Sequence, residues 1–89
     1  IRCVIEGPTG EQHGEGGRFV AQDGTTADLI FSVGRVLSDL SRAVTLYPGD
    51  IVFTGTPAGV GMPQGIYLQR GDVVTTSIEG IGELRNRMV

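Results

Sequence analysis

Leu46-Tyr47-Pro48-Gly49-Asp50-Ile51-Val52-Phe53 runs directly into Thr54-Gly55-Thr56-Pro57-Ala58-Gly59-Val60-Gly61, and this stretch decides how the chain is read. Its first half sets a Pro-Gly-Asp turn ahead of a β-branched and aromatic run. Its second half is a loop with glycines at 55, 59 and 61 and a hydroxyl between them. The turn-then-strand signal returns at Leu68-Gln69-Arg70-Gly71-Asp72-Val73-Val74, and Ile78-Glu79-Gly80-Ile81-Gly82-Glu83-Leu84-Arg85-Asn86 closes the segment. Glycine at such bends lets the main chain adopt conformations closed to other residues and lets a ligand approach the backbone.

Working outward, Asp50 to Thr54, Asp72 to Ile78 and Glu83 to Val89 are expected to be strands, the first two being rich in Val, Ile and Thr and each following a glycine turn. Upstream, Ile1 to Ile5 and Arg18 to Gln22 read as two further strands able to pair as a hairpin, and Asp23-Gly24 reads as a turn. Between these groups the period changes. Leu29, Ile30, Val33, Val36, Leu37, Leu40 and Val44 recur at helical spacing, which predicts a short helix from Val33 to Ser41. Ser32 is its expected cap, and Pro48-Gly49 prevents continuation. The fold class is therefore mainly β with one short helix, an α+β arrangement.

Composition narrows the function classes. The chain has 89 residues, one domain at most, and opens on Ile1 inside a strand pattern; it is expected to be part of a longer protein. The net charge of −3 carries no electrostatic footprint for nucleic acid. All the cations are arginines, so neither a Schiff-base lysine nor a phosphate-binding Gly-Lys loop is present. No apolar run nears the roughly 20 residues of a membrane helix. With the single cysteine, Cys3, this makes a soluble cytoplasmic protein the expectation. Cys3 itself sits on an apolar strand pattern and reads as core rather than nucleophile.

The polar residues divide into few candidates. In the loop, the Gly55 and Gly59 main chain could converge on an anion, with Thr56 adding a hydroxyl that can donate or accept. The same residues also fit a tight turn in which Thr56 satisfies a backbone group and Pro57 fixes φ. Glu11, His13 and Glu15 alternate as metal ligands on a strand would, yet the glycines around them favour a solvated hairpin tip. Asp50 and Asp72 follow glycines at strand starts, where aspartate bonds local amides. Glu79 and Glu83 are placed to pair with Arg85 or Arg87 on the surface.

Taken in order, the Thr25-Thr26-Ala27-Asp28-Leu29-Ile30-Phe31 segment, the Leu46 to Asp50 lead-in, the Thr54 to Gly61 loop, the Gly71-Asp72 turn and the Ile78-Glu79-Gly80-Ile81-Gly82 close resemble the C-terminal part of the catalytic domain in the fumarylacetoacetate hydrolase family. The resemblance implies that residues 1–89 are an incomplete portion of one such domain, part of a mixed β-roll assembled as a homodimer. It implies a parent enzyme that hydrolyses, isomerises or decarboxylates acylpyruvates and related 2-oxo acids, as in aromatic catabolism. It also implies a Mg²⁺ or Mn²⁺ ion that stabilises the enolate. Carried over residue by residue, Thr56, with the Gly55 main chain beside it, contacts the substrate carboxylate. The family's metal ligands, lysine and histidine-bearing lid precede this segment. No metal ligand or catalytic residue is therefore assigned within it, and the chain alone is expected to be inactive. The other reading is a non-catalytic β-roll module for dimerisation or anion capture.

Overall fold

The computed structural model describes residues 1–8 and 17–89. In chain order it contains β1 (Arg2–Glu6), β2 (Arg18–Asp23), α1 (Val33–Ala43), β3 (Val73–Ile78) and β4 (Gly82–Arg87), with short 3-10 turns at Thr26–Asp28 and Met62–Gln64. The strands form a four-stranded sheet in the order β2-β1-β3-β4, every neighbouring pair antiparallel. The mainly β reading with one helix holds, and so does the β1–β2 hairpin.

Val4 and Ile5 of β1 and Val73 of β3 are the buried apolar side chains among the described residues. The register puts Val4 and Val73 on one face of the sheet and Ile5 on the other, so the core is small and divided between the two faces. Cys3, expected in the core, is only half-buried, beside Thr76, whose hydroxyl stands 3.8 Å from the Cys3 sulfur. Along the β1–β2 ladder Val4 pairs with Val20 while Cys3 pairs with Gln22, so Ala21 is an extra residue, a β-bulge. A bulge shifts the residues beyond it to the opposite face. Gln22 thereby joins the face of Cys3 instead of that of Val20.

The two Gly-Asp turns ahead of the β-branched runs share one construction. Asp50 N–H donates to Tyr47 O at 3.1 Å while Tyr47 N–H donates to the Asp50 carboxylate at 2.7 Å. Asp72 and Gln69 repeat this at 3.1 and 2.8 Å. Gly49 and Gly71 take φ of +97° and +95°, as the third position of such a turn requires. Both aspartates are structural, as expected; Asp72 is fully buried and Asp50 is exposed.

Three expectations need correction. Asp50 to Thr54 is not a strand: among the described residues it pairs with no other segment, and Phe53 is 93% exposed. The β-branched and aromatic run is there but a partner for its backbone hydrogen bonds is not, and strand structure needs both. Secondly, α1 runs two residues further than the spacing predicted, to Ala43, capped as expected by Ser32, whose Oγ accepts from Arg35 N–H at 3.3 Å. Thirdly, Arg85 pairs across the sheet with Glu6 at 3.7 Å, alongside Arg18 at 3.7 Å, rather than with Glu79 or Glu83.

The helical stripe has the right period without a core to meet. Val36 and Leu40 are half-buried in a groove of about 430 Å³ shared with Phe31, Val52 and Phe53, while Val33, Leu37 and Val44 are exposed. The radius of gyration is 16.4 Å, against about 12 Å for a compact domain of this length. No helix among the described residues is long and apolar enough to cross a membrane.

Candidate functional site

The site forms where β2 ends. Asp23 and Gly24 lead from the strand into the 3-10 turn, which Thr25 caps by accepting from Ala27 N–H at 3.3 Å. Leu29, Ile30 and Phe31 then carry the chain to Ser32 and the start of α1. Facing this segment is the Thr54 to Ala58 part of the glycine loop, and between them lies a cavity of about 610 Å³. That size suits a small organic ligand. Gly55 and Thr56 both line it, together with Thr25, Thr26 and Thr54.

Three contacts lock the loop onto β2. Gly59, at φ +104°, approaches the bulge so closely that a Cβ there would enter the Ala21 carbonyl. Pro57 packs over Gly24, where an added Cβ would lie 3.2 Å from the proline Cβ. The Gln22 side chain completes the clamp, its Nε2 donating to Thr56 Oγ1 at 2.9 Å and to Pro57 O at 3.0 Å. The two glycines act differently: Gly55 (φ +96°) has open space about it and lines the cavity, whereas Gly59, expected to face an anion beside it, packs against β2 and is not among the lining residues.

The hydrogen-bond polarity at Thr56 follows from its partners. Proline contributes only a carbonyl oxygen, so the Gln22 amide must turn its NH₂ group towards Pro57. The second hydrogen of that NH₂ then reaches Thr56, whose oxygen acts as the acceptor. A hydroxyl has one proton to donate, and Gln22 does not take it. The turn reading had Thr56 satisfying a backbone group; its partner is instead the Gln22 side chain.

Asp23 and Asp28 are the charged side chains of the cavity lining. An anion placed here must therefore be held by N–H and O–H donors or by positive charge from elsewhere. Among the described residues no three His, Cys, Asp or Glu side chains cluster where they could hold a metal ion. The residues present do not fit a Mg²⁺ or Mn²⁺ centre, and no chemistry is routed through one here. Glu11, His13 and Glu15 lie outside the described residues.

Sequence pattern pointed to Gly55 and Thr56 but missed Gln22, Gly24 and the Thr25-Thr26 pair as parts of the same site. Gln22 acts on Thr56 across 34 positions of chain, and no local periodicity encodes such a contact. The usable signal was its position: a long amide at a strand end, immediately before an Asp-Gly turn.

A family model described as fumarylacetoacetate (FAA) hydrolase C-terminal matches residues 15–89. The chain is 49% identical over 91 residues to a fumarylacetoacetate hydrolase domain-containing protein 2 homolog of Dictyostelium discoideum, covering 99% of this chain and 26% of that protein. It is 47% identical over 70 residues to the 2,4-didehydro-3-deoxy-L-rhamnonate hydrolase of Sphingomonas sp. (strain SKA58), covering 75% of this chain and 25% of that enzyme. The chain thus spans about a quarter of the length of these curated relatives. No solved structure matches it.

Proposed function

Because this chain belongs to the fumarylacetoacetate hydrolase family, we propose that it supplies the carboxylate-binding wall of a hydrolase acting on C–C bonds of small 2-oxo acids. The observation that carries the reading is the clamped loop beside the cavity: Gly55 and Thr56 line it, and the Thr56 oxygen is already occupied as an acceptor. In this role the Thr56 hydroxyl donates to a carboxylate oxygen and the Gly55 main chain sits against it. One hydrogen bond to a charged group contributes about 1.5 to 3 kcal/mol. The relative from Sphingomonas is named for a deoxy sugar acid, a carboxylate of the same general kind. Isomerisation and decarboxylation start from similarly held 2-oxo acids, and the hydrolase reading is preferred because that relative is named a hydrolase.

The chain's contribution is to bind and orient. The positive charge that a 2-oxo acid calls for does not come from the side chains of the cavity lining, of which Asp23 and Asp28 are the charged ones. We assign it to parts of the full-length protein beyond the described residues, Mg²⁺ or Mn²⁺ included, and expect the 89 residues alone to be inactive in a cytoplasmic enzyme. The exposed Ile30, Phe31 and Phe53 support an assembled state, with the remainder of the polypeptide and a second copy covering this surface.

The test is an absorbance assay of the full-length protein with a panel of acylpyruvates in the presence of Mg²⁺, alongside Thr56→Val. Metal-dependent loss of absorbance, with the KM of the variant raised by about 10- to 100-fold, is the expected result. Absence of turnover across the panel overturns the reaction class. Equal KM in parent and variant removes Thr56 from the site.

The second reading, a binding or dimerisation module without catalysis, draws on the unpartnered apolar surface and the absence of a metal cluster among the described residues. Calorimetry separates the two. Pyruvate binding that needs no metal favours the module.

A further inference from the structure

We propose that Gln22 is a positioning residue, whose side-chain amide holds the Thr56 oxygen as an acceptor and so commits the hydroxyl proton to a carboxylate in the cavity. The inference rests on the reading of Thr56 as a carboxylate contact and adds what makes that contact directional. The reasoning begins at the bulge. Because Ala21 is an extra residue on β2, Gln22 leaves the face of Val20 and reaches the glycine loop. There Pro57 O, at 3.0 Å from Nε2, accepts one amide hydrogen and fixes which way the amide faces. The other hydrogen goes to Thr56 Oγ1 at 2.9 Å.

An unconstrained threonine hydroxyl rotates and can present either its lone pair or its proton to a ligand. A lone pair turned towards a carboxylate repels it. With a donor-only NH₂ on one side of the oxygen, the proton is turned away from Gln22 and no rotamer search remains when the anion arrives. The effect is preorganisation, which lowers the ordering cost of binding. The neutral amide also adds no charge to a lining that already holds Asp23 and Asp28.

Gln22→Glu reverses this polarity with almost no change in shape. A carboxylate cannot donate to Pro57 O, and it would take the Thr56 proton for itself. The experiment is calorimetric titration of pyruvate into the full-length protein carrying Gln22→Glu, Thr56→Val, both, or neither. Gln22→Met, similar in length and without a donor, runs in parallel and replaces Gln22→Glu in the cycle if that variant fails to fold by thermal melt.

We expect Gln22→Glu to weaken pyruvate binding about tenfold in the parent, with less than about a twofold further loss in the Thr56→Val background. The defect shrinks as pH falls towards about 4.3, where a protonated side chain can donate again. Equal weakening in both backgrounds overturns the proposal, leaving Gln22 as a tether for the loop through Pro57. No weakening by Gln22→Glu, with Thr56→Val still damaging, overturns it while sparing the carboxylate contact. No effect from Thr56→Val refutes the contact itself, and the proposal with it.

Discussion

Gly59 lies against Ala21 so closely that no side chain fits between the glycine loop and the bulged strand. Its added Cβ would stand 2.9 Å from the Ala21 carbonyl carbon and 3.0 Å from Gln22 Cγ. Gly55, four residues earlier in the same loop, shares the positive φ but has nothing within 4 Å. Gly55→Ala should therefore carry only the left-handed strain, about 1 to 2 kcal/mol. Gly59→Ala should cost more, because strain and collision with backbone add. Denaturant midpoints of the two full-length variants check the order, and equal midpoints would contradict it.

Gly34 presents the opposite case. It sits in the first turn of α1 at ordinary helical φ, and an added Cβ meets nothing within 4 Å. Gly34→Ala should stabilise the protein by about 0.5 to 1 kcal/mol, through the smaller backbone entropy lost on folding. A rise in melting temperature is the expected readout. A fall would mean that this side of α1 is covered in the full-length protein.

Ser32 anchors the same helix. Its hydroxyl accepts from Arg35 N–H, one of the amides that the first turn leaves without a partner. Ser32→Ala should cost about 1 kcal/mol, and Ser32→Asp should recover most of it. Comparing the two midpoints separates a capping effect from a packing one.

Asp50 and Asp72 close identical turns in different surroundings. Each carboxylate accepts from the amide three residues earlier, but Asp72 is 0% exposed and Asp50 lies at the surface. The bond to Asp50 is exposed and that to Asp72 part-buried, so water replaces the lost partner more readily at Asp50. Asp72→Ala should cost about 1 to 3 kcal/mol, and Asp50→Ala distinctly less. Chemical denaturation of the paired variants is the measurement, with an inverted order as the contrary outcome.

The strand pattern was legible because alternation and turn chemistry are local properties. β1, β2, β3 and β4 lie within a residue or two of where Val, Ile and Thr runs between glycine turns place them. The Ser32 cap and both Gly-Asp turns were legible for the same reason, each being written within four consecutive residues. Asp50 to Thr54 shows the limit. Its Ile-Val-Phe run has the composition of a strand, but pairing depends on a partner that no local pattern announces.

By itself the sequence determined four strands and the helix, the Gly-Asp turns, the family and the loop that carries Gly55 and Thr56, all of which depend on residues close together in the chain. Only the tertiary structure decided that a bulge at Ala21 turns Gln22 towards that loop, and that Gln22 then sets the polarity of the Thr56 hydroxyl. The physical reason is separation. A hydrogen bond spanning 34 positions exists only once β2 and the loop have been brought together, and the collision that keeps residue 59 a glycine belongs to the folded state alone.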